Sequence, residues 1–328
     1  MKKFILFWPA FLLAVCLSAG SRPKPKPLHF GIFVHYLYNL QNTKLPWNQG
    51  KVTSWDQCVN DLDVDKLASE LAEIHADYLI ITTGQNQKYL CFPDSTYEAI
   101  TGYPRGQATS HRDLISDLYT ALNKRGIKLF LYSTGDGPSG DAQASKALNN
   151  PTSRMKPGSN FKTDEPWVKS WAVIIKSISM QYKDKITGWW FDGCYGFIDY
   201  NDALLENFQT AAKAGNKNAL VAFNFLGPQD VISIGTIGNY TAGESDKFAS
   251  PPDIKLTDKK VKWHLLSYLG TYWARPGARY SADYMSSYID KVAANNGMVT
   301  LDVCLLRDGS IDSAQYSFLK KIRNPAVN

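Results

Sequence analysis

The sequence predicts an α/β protein built as a single-domain (β/α)8 barrel of the TIM type. Two observations carry this. Short apolar runs alternate with longer amphipathic ones through most of the 328 residues, the order that gives parallel strands joined by crossover helices. In addition, the run ending in Trp189, Trp190, Phe191, Asp192 and Gly193 is apolar enough for a buried strand, yet it stops on a carboxylate. A charge beside two indoles is costly without a task or a partner. Parallel barrels present their catalytic groups at the C-terminal ends of strands. A strand-ending Asp can also simply cap the next turn through its own backbone. A doubly wound open sheet is the alternative fold.

Residues 30–35 read as the first strand. Residues 64–75 have helical spacing, with Leu67, Leu71 and Ile74 on one face, and 76–83 form the second strand. A long loop comes next. Residues 113–125 place Leu114, Leu118 and Leu122 on one helical stripe that stops at Gly126. The third strand is 127–133; a Gly/Pro/Ser-rich loop then leads to a helix over 165–182. The fourth strand covers 186–193, and a helix over 202–214 ends at Gly215. Residues 220–225 form the fifth strand. The stretch 235–244 has the weakest pattern and is assigned a short sixth strand. Residues 265–273 are the seventh strand, 282–295 a helix, 297–305 the eighth strand and 311–323 a closing helix.

The first 20 residues read as an export signal. Lys2 and Lys3 form a positive start, residues 4–17 an apolar run too short to span a bilayer, and Ser18, Ala19 and Gly20 offer small side chains for cleavage. A lipid anchor at Cys16 is the less favoured reading, because Val15 is bulky where a small residue is needed. Residues 21–27 form a stiff Pro/Lys spacer, and 28–328 the catalytic domain. The expected location is therefore secreted or periplasmic, with no membrane span. Without Lys2 and Lys3 the net charge of +6 falls to +4, and no basic stripe interleaves with aromatics, so nucleic acid is not expected as a partner. Aromatics make up 13% of the chain. Their amphipathic rings suit sugar stacking as well as core packing. Past the signal, Cys58, Cys91, Cys194 and Cys304 allow three pairings or none, and their spacing matches no zinc motif.

Asp192 is the candidate reacting residue. Sugar hydrolysis needs a second carboxyl group to protonate the leaving oxygen. Glu244 is the candidate, in a polar loop where Gly243 lets the backbone bend; Asp246 is the nearest substitute. His35 ends the first strand at the same rim. Gln85, Asn86 and Gln87 follow the second strand and offer amides for hydroxyl groups. Tyr132 ends the third strand, within reach of either substrate or Asp192. Trp190 and Trp273 are candidate substrate contacts, with Trp189 and Trp263 as further stacking platforms. Asp302, inside a strand, reads as a structural ion-pair partner. Asp136 and Asp141 lie in a Gly-rich loop that is more often solvated than cation-binding. No phosphate-cradling loop, Gly-x-Ser-x-Gly elbow or His-x-x-x-His pair is present. No metal or organic cofactor is expected.

These residues resemble the α-L-fucosidases of glycoside hydrolase family 29. Gly31 to His35 is similar to the family's opening strand, and Arg112 to Leu114 with Leu129 to Ser133 to its third unit. Trp190 to Gly193 resembles the nucleophile strand, and Thr241 to Glu244 the segment that carries the acid/base. Asn295 to Asp302 and Arg307 to Ile311 are similar to the last strand and its loop. The resemblance implies a retaining exo-glycosidase that takes terminal α-L-fucosyl or related residues from glycans. Asp192 would stay ionised and Glu244 would have a raised pKa, with carboxyl groups roughly 5–5.5 Å apart. The chain departs from the pattern in two places. Gly84, Gln85, Asn86, Gln87 and Lys88 stand where the family has His-His-Asp-Gly-Phe, and His264 follows Trp263 where it has Trp-Glu. The family's β-sandwich is not expected, leaving a catalytic domain alone. A sugar-binding barrel with lost catalysis or altered specificity is the alternative.

Overall fold

The structure is a computed structural model that describes residues 27–45, 50–156, 158–225, 237–248 and 262–323. The export signal, Cys16, nearly all of the spacer and the first two residues of the expected sixth strand lie outside the described residues. Among the described residues, seven strands form one parallel sheet. They are β1 (Phe30–Val34), β2 (Tyr78–Thr82), β3 (Lys128–Thr134), β4 (Gly188–Asp192), β5 (Leu220–Phe223), β6 (His264–Tyr268) and β7 (Met298–Val303). Their order across the sheet is β5-β4-β3-β2-β1-β7-β6. The longer crossover helices are α1 (Val64–Glu73), α2 (Leu114–Asn123), α3 (Glu165–Tyr182), α4 (Asp202–Ala212), α5 (Ala282–Ala294) and α6 (Ser313–Arg323). Among the described residues, no helix is long and apolar enough to cross a membrane.

Alternation along each strand divides the core into two layers. Leu79, Ile81, Trp189 and Phe191 pack outward with the helices, whereas Phe33, Tyr78, Ile80, Phe130, Tyr132 and Trp190 form a separate inner cluster. That cluster also holds Ala222 from one edge strand and Leu266 from the other, so the sheet curls until its edges face a common interior. The inner layer is tight enough to exclude a Cβ at two positions. Gly188 pairs with Phe130, and a Cβ there would meet that ring at 2.2 Å; Gly31 pairs with Tyr78 and would meet its ring at 2.1 Å.

The expected sixth strand is not a regular strand. Its described part, from residue 237, is irregular, with isolated parallel bridges from Tyr240 to Lys262 and from Glu244 to Leu266. It hydrogen-bonds on both sides: Asn239 N–H donates to Val221 O at 2.7 Å, and Ser245 N–H donates to Leu266 O at 2.9 Å. Tyr240 and Ala242 join the inner cluster, but the polar and glycine residues around them leave the apolar pattern too short for a clear sequence signal. The expected seventh strand is also shorter, because the chain turns after Tyr268. His264 fastens this side from within. It is fully buried, its Nδ1 lies 3.0 Å from Thr241 O, and its Nε2 lies 2.7 Å from Thr300 Oγ1. Burial holds its pKa down at about 4. Since carbonyls only accept, Nδ1 carries the proton and Nε2 accepts from Thr300.

The long loops contain short helices that the apolar periodicity did not show. Ser95–Thr101 starts where Asp94 accepts from Tyr97 N–H, and Ala142–Ala147 where Asp141 accepts from Ala144 N–H. These are N-caps, so Asp141 has a structural role. Cys58, Cys91, Cys194 and Cys304 are free and buried.

Candidate active site

β4 delivers Asp192 to the C-terminal rim of the sheet, where four donors converge on its two oxygens. Tyr132 Oη donates to Oδ2 at 2.7 Å. Gly193 N–H (2.8 Å), Asn224 Nδ2 (2.9 Å) and Tyr195 Oη (3.1 Å) donate to Oδ1. Tyr132 is buried and stacks on Trp190, with ring centroids 5.5 Å apart. Burial first, then the Asp192 charge, pushes the Tyr132 hydroxyl pKa well above its ordinary value, so it remains a donor. The Tyr195 hydroxyl is raised for the same two reasons.

Glu244 stands beside Asp192, linked to it through one amide. Asn224, the residue after β5, directs Nδ2 at Asp192 Oδ1 and also at Glu244 Oε2. An amide nitrogen carries two hydrogens and can serve both acceptors. Gly243 makes the approach possible: its φ is +62°, and a Cβ would lie 1.9 Å from His264 O. Burial, then repulsion from Asp192, pushes the Glu244 carboxyl up to about 7, against the lowering pull of Asn224. This is the environment that lets a carboxylic acid hold its proton near neutral pH.

A cavity of about 310 Å³ opens onto both carboxyl groups. Its walls include His35, Gln85, Tyr132, Trp190, Asp192, Glu244 and Trp273, all singled out from sequence. Asn86 and Gln87 do not line it. Asn86 instead ties two loops together: its N–H donates to Gly137 O at 3.1 Å and its carbonyl accepts from Gly140 N–H at 2.7 Å. Gln87 folds back so that its N–H donates to Gln85 O at 2.7 Å. Trp189 and Trp263 are buried in the outer core and are not platforms. The Asp246 side chain is exposed and does not line the cavity. Asp302 is wholly buried, with Oδ1 2.8 Å from His35 Nδ1.

Sequence reasoning passed over Asn224 and Tyr195, and it read Asp136 as a solvated loop residue, which its burial corrects. Asn224 carried a usable signal, a polar side chain directly after an apolar strand, the feature that singled out Asp192. Tyr195 sits in a turn and is brought to Asp192 only by the fold. Asp136 accepts from Ser139 Oγ at 3.2 Å, and its carboxyl is pushed up to about 6, chiefly by burial. Among the described residues, no group of three or more His, Cys, Asp or Glu side chains is placed to hold a metal ion.

A family model described as alpha-L-fucosidase matches residues 59–324. A search of curated proteins found no match. Among solved structures, an alpha-L-fucosidase of glycoside hydrolase family 29 from Bacteroides thetaiotaomicron is similar at TM-score 0.61 and 15% identity, over 91% of this chain and 71% of that one. An endo-fucoidan hydrolase of glycoside hydrolase family 107 is similar at TM-score 0.67 and 12% identity, over 92% of each chain. An alpha-L-fucosidase fucosyltransferase mutant is similar at TM-score 0.58 and 16% identity, over 92% of this chain and 97% of that one. At these identities the likeness is one of fold.

Proposed function

The chain belongs to the alpha-L-fucosidase family of glycoside hydrolases, and from that premise we propose that it is a retaining exo-glycosidase removing terminal α-L-fucosyl or related α-L-glycosyl residues from glycans. The observation that carries the reading is the amide of Asn224 donating to both Asp192 and Glu244. Two acceptors on one nitrogen are at most two hydrogen-bond lengths apart, about 6 Å. Retaining enzymes hold their carboxyl groups at roughly 5–5.5 Å and inverting enzymes at about 6.5–9.5 Å. The shared amide therefore supports retention.

In this reading Asp192 attacks the anomeric carbon through Oδ2, which has one donor where Oδ1 has three. The bond to the leaving oxygen breaks as Glu244 transfers its proton there, leaving a glycosyl ester on Asp192. A water then attacks the anomeric carbon, Glu244 takes its proton, and Asp192 departs as the carboxylate. The division of labour is supported by the two environments: four donors around Asp192, and burial beside a negative charge for Glu244. The cavity volume lies at the low end of ligand pockets, which supports a single terminal ring. Gln85 at the wall where the resemblance brings histidine supports a sugar contact of different chemistry from the family's, so fucose competes with related α-L-sugars.

We also read residues 28–328 as one closed (β/α)8 unit in which residues 239–245 take the place of the missing strand; their hydrogen bonds to both edge strands support it. Export through residues 1–20, giving a secreted or periplasmic enzyme, belongs to the same proposal.

The test is a panel of aryl α-L-fucoside, α-L-galactoside and related glycosides with the wild type and Asp192→Ala. The wild type should release aglycone with retained configuration, and the variant should release none. Full activity in Asp192→Ala removes the nucleophile assignment. Sugar binding by the wild type without release across the panel would favour a non-catalytic barrel.

A further inference from the structure

The geometry points to Asp302 as a positioning residue: one buried carboxylate fixes the His35 tautomer and seats the turn that carries Trp273, so that His35 Nε2 meets a substrate hydroxyl as an acceptor. This rests on reading the cavity as a sugar site. Asp302 lies in β7, in register with Phe33 of β1 on one side and Tyr268 of β6 on the other. It is 1% exposed. Both oxygens are used: Oδ1 lies 2.8 Å from His35 Nδ1, and Oδ2 accepts from Ala274 N–H at 2.6 Å. The two partners belong to different walls of the same cavity.

Each partner needs something to hold it. Ala274 has φ +56°, the left-handed region, which is disfavoured for a residue bearing a Cβ. Its hydrogen bond to Asp302 sustains that turn, and the turn sets Tyr272, Trp273 and Ala274 against the cavity. The His35 ring is fenced by Phe33 at 4.4 Å, Trp273 at 5.8 Å and Tyr132 at 6.2 Å between centroids. A ring so enclosed cannot turn over freely, so its chemistry depends on which nitrogen carries the proton. A carboxylate at Nδ1 keeps the proton on Nδ1 and leaves the Nε2 lone pair free. The ligand this wall suits is a sugar ring with a hydroxyl donating to Nε2 and an apolar face toward Trp273. A protonated Asp302 donating to Nδ1 would put the proton on Nε2 and reverse the preference.

The experiment uses the full chain with ¹⁵N-labelled histidine. Long-range ¹H–¹⁵N correlation at pH 8 reads the tautomer, and loss of the signal in His35→Gln assigns it. The wild type should show the proton on Nδ1, and Asp302→Ala should populate the Nε2–H form. Asp302→Asn can keep both hydrogen bonds only by accepting from Ala274 N–H through its oxygen and donating its amide to His35 Nδ1, which moves the histidine proton to Nε2. It should fold and still lose about 100-fold in kcat/KM, the scale of a misplaced positioning group. A merely structural carboxylate would lower Tm without changing the tautomer. Wild-type His35 protonated on Nε2, or a tautomer unchanged in Asp302→Ala, overturns the proposal. An enzyme inactive on every glycoside would instead sink the glycosidase reading, while the tautomer measurement still decides this one.

Discussion

Replacing Asn224 by Ala tests the paired-carboxyl arrangement through the sign of a pH shift. In the wild type the Asn224 amide stabilises the carboxylate form of Glu244, while burial and the charge of Asp192 oppose it, leaving the group at about 7. Glu244 must carry its proton to act as the acid, so kcat/KM should fall as pH rises through about 7. Deleting the amide removes the one contribution that favours the charged form, so Glu244 should titrate at higher pH and the alkaline limb should move up. A hydrogen bond to a charged group contributes about 1.5–3 kcal/mol, and one pH unit corresponds to about 1.4 kcal/mol. Water can enter the space left by the amide and replace part of that, so a displacement of about one pH unit is expected. The assay is kcat/KM on an aryl α-L-glycoside across pH 5–9 for both proteins, with a thermal melt to show that the variant is folded. An alkaline limb that stays in place, or moves to lower pH, refutes the assignment of Glu244 as the acid held beside Asp192.

Two further predictions concern the interior. Gly188→Ala places a Cβ 2.2 Å from the fully buried Phe130 ring; overpacking of this kind costs about 1–3 kcal/mol, and a urea midpoint unchanged from wild type would contradict the tight inner layer. His264 has a folded-state pKa of about 4, below its ordinary 6.5. The folded protein therefore binds this proton less well than the unfolded chain, and the stability tied to the neutral ring is complete above pH 6.5 and lost as pH falls toward 4. The loss amounts to about 3 kcal/mol. His264→Gln lacks this dependence, so the wild type's unfolding free energy relative to the variant should drop between pH 7.5 and 4.5. A constant difference would show that the ring is not buried in its neutral form.

The strand and helix order could be read along the chain because each element carries its own local signal: a short apolar run for a buried parallel strand, a 3.6 period for a helix. Asp192 was visible for a similar reason, since a lone charge closing an apolar run stands out without any partner in view. Gln85 was singled out for following the second strand and Trp273 as an aromatic that could stack on a sugar; the first rule also drew in Asn86 and Gln87. Polarity after a strand does not say which side chain turns inward; backbone bonds to the neighbouring loop decided that. The irregular stretch before Glu244 was faint because its apolar face is reduced to Tyr240 and Ala242.

Folding added relations between distant positions. His35 and Asp302 are 267 residues apart in sequence, so no local pattern could pair them, and Asp302 looked like any buried charge until both partners came into view. Asn224 lies 32 residues from Asp192 and 20 from Glu244, and its role exists only because the curled sheet brings the strand ends to a common rim. Side-chain identity supplied the chemistry available to this chain. Which groups share a hydrogen, a charge or a wall is a matter of distance in space, and the curl of the sheet sets those distances.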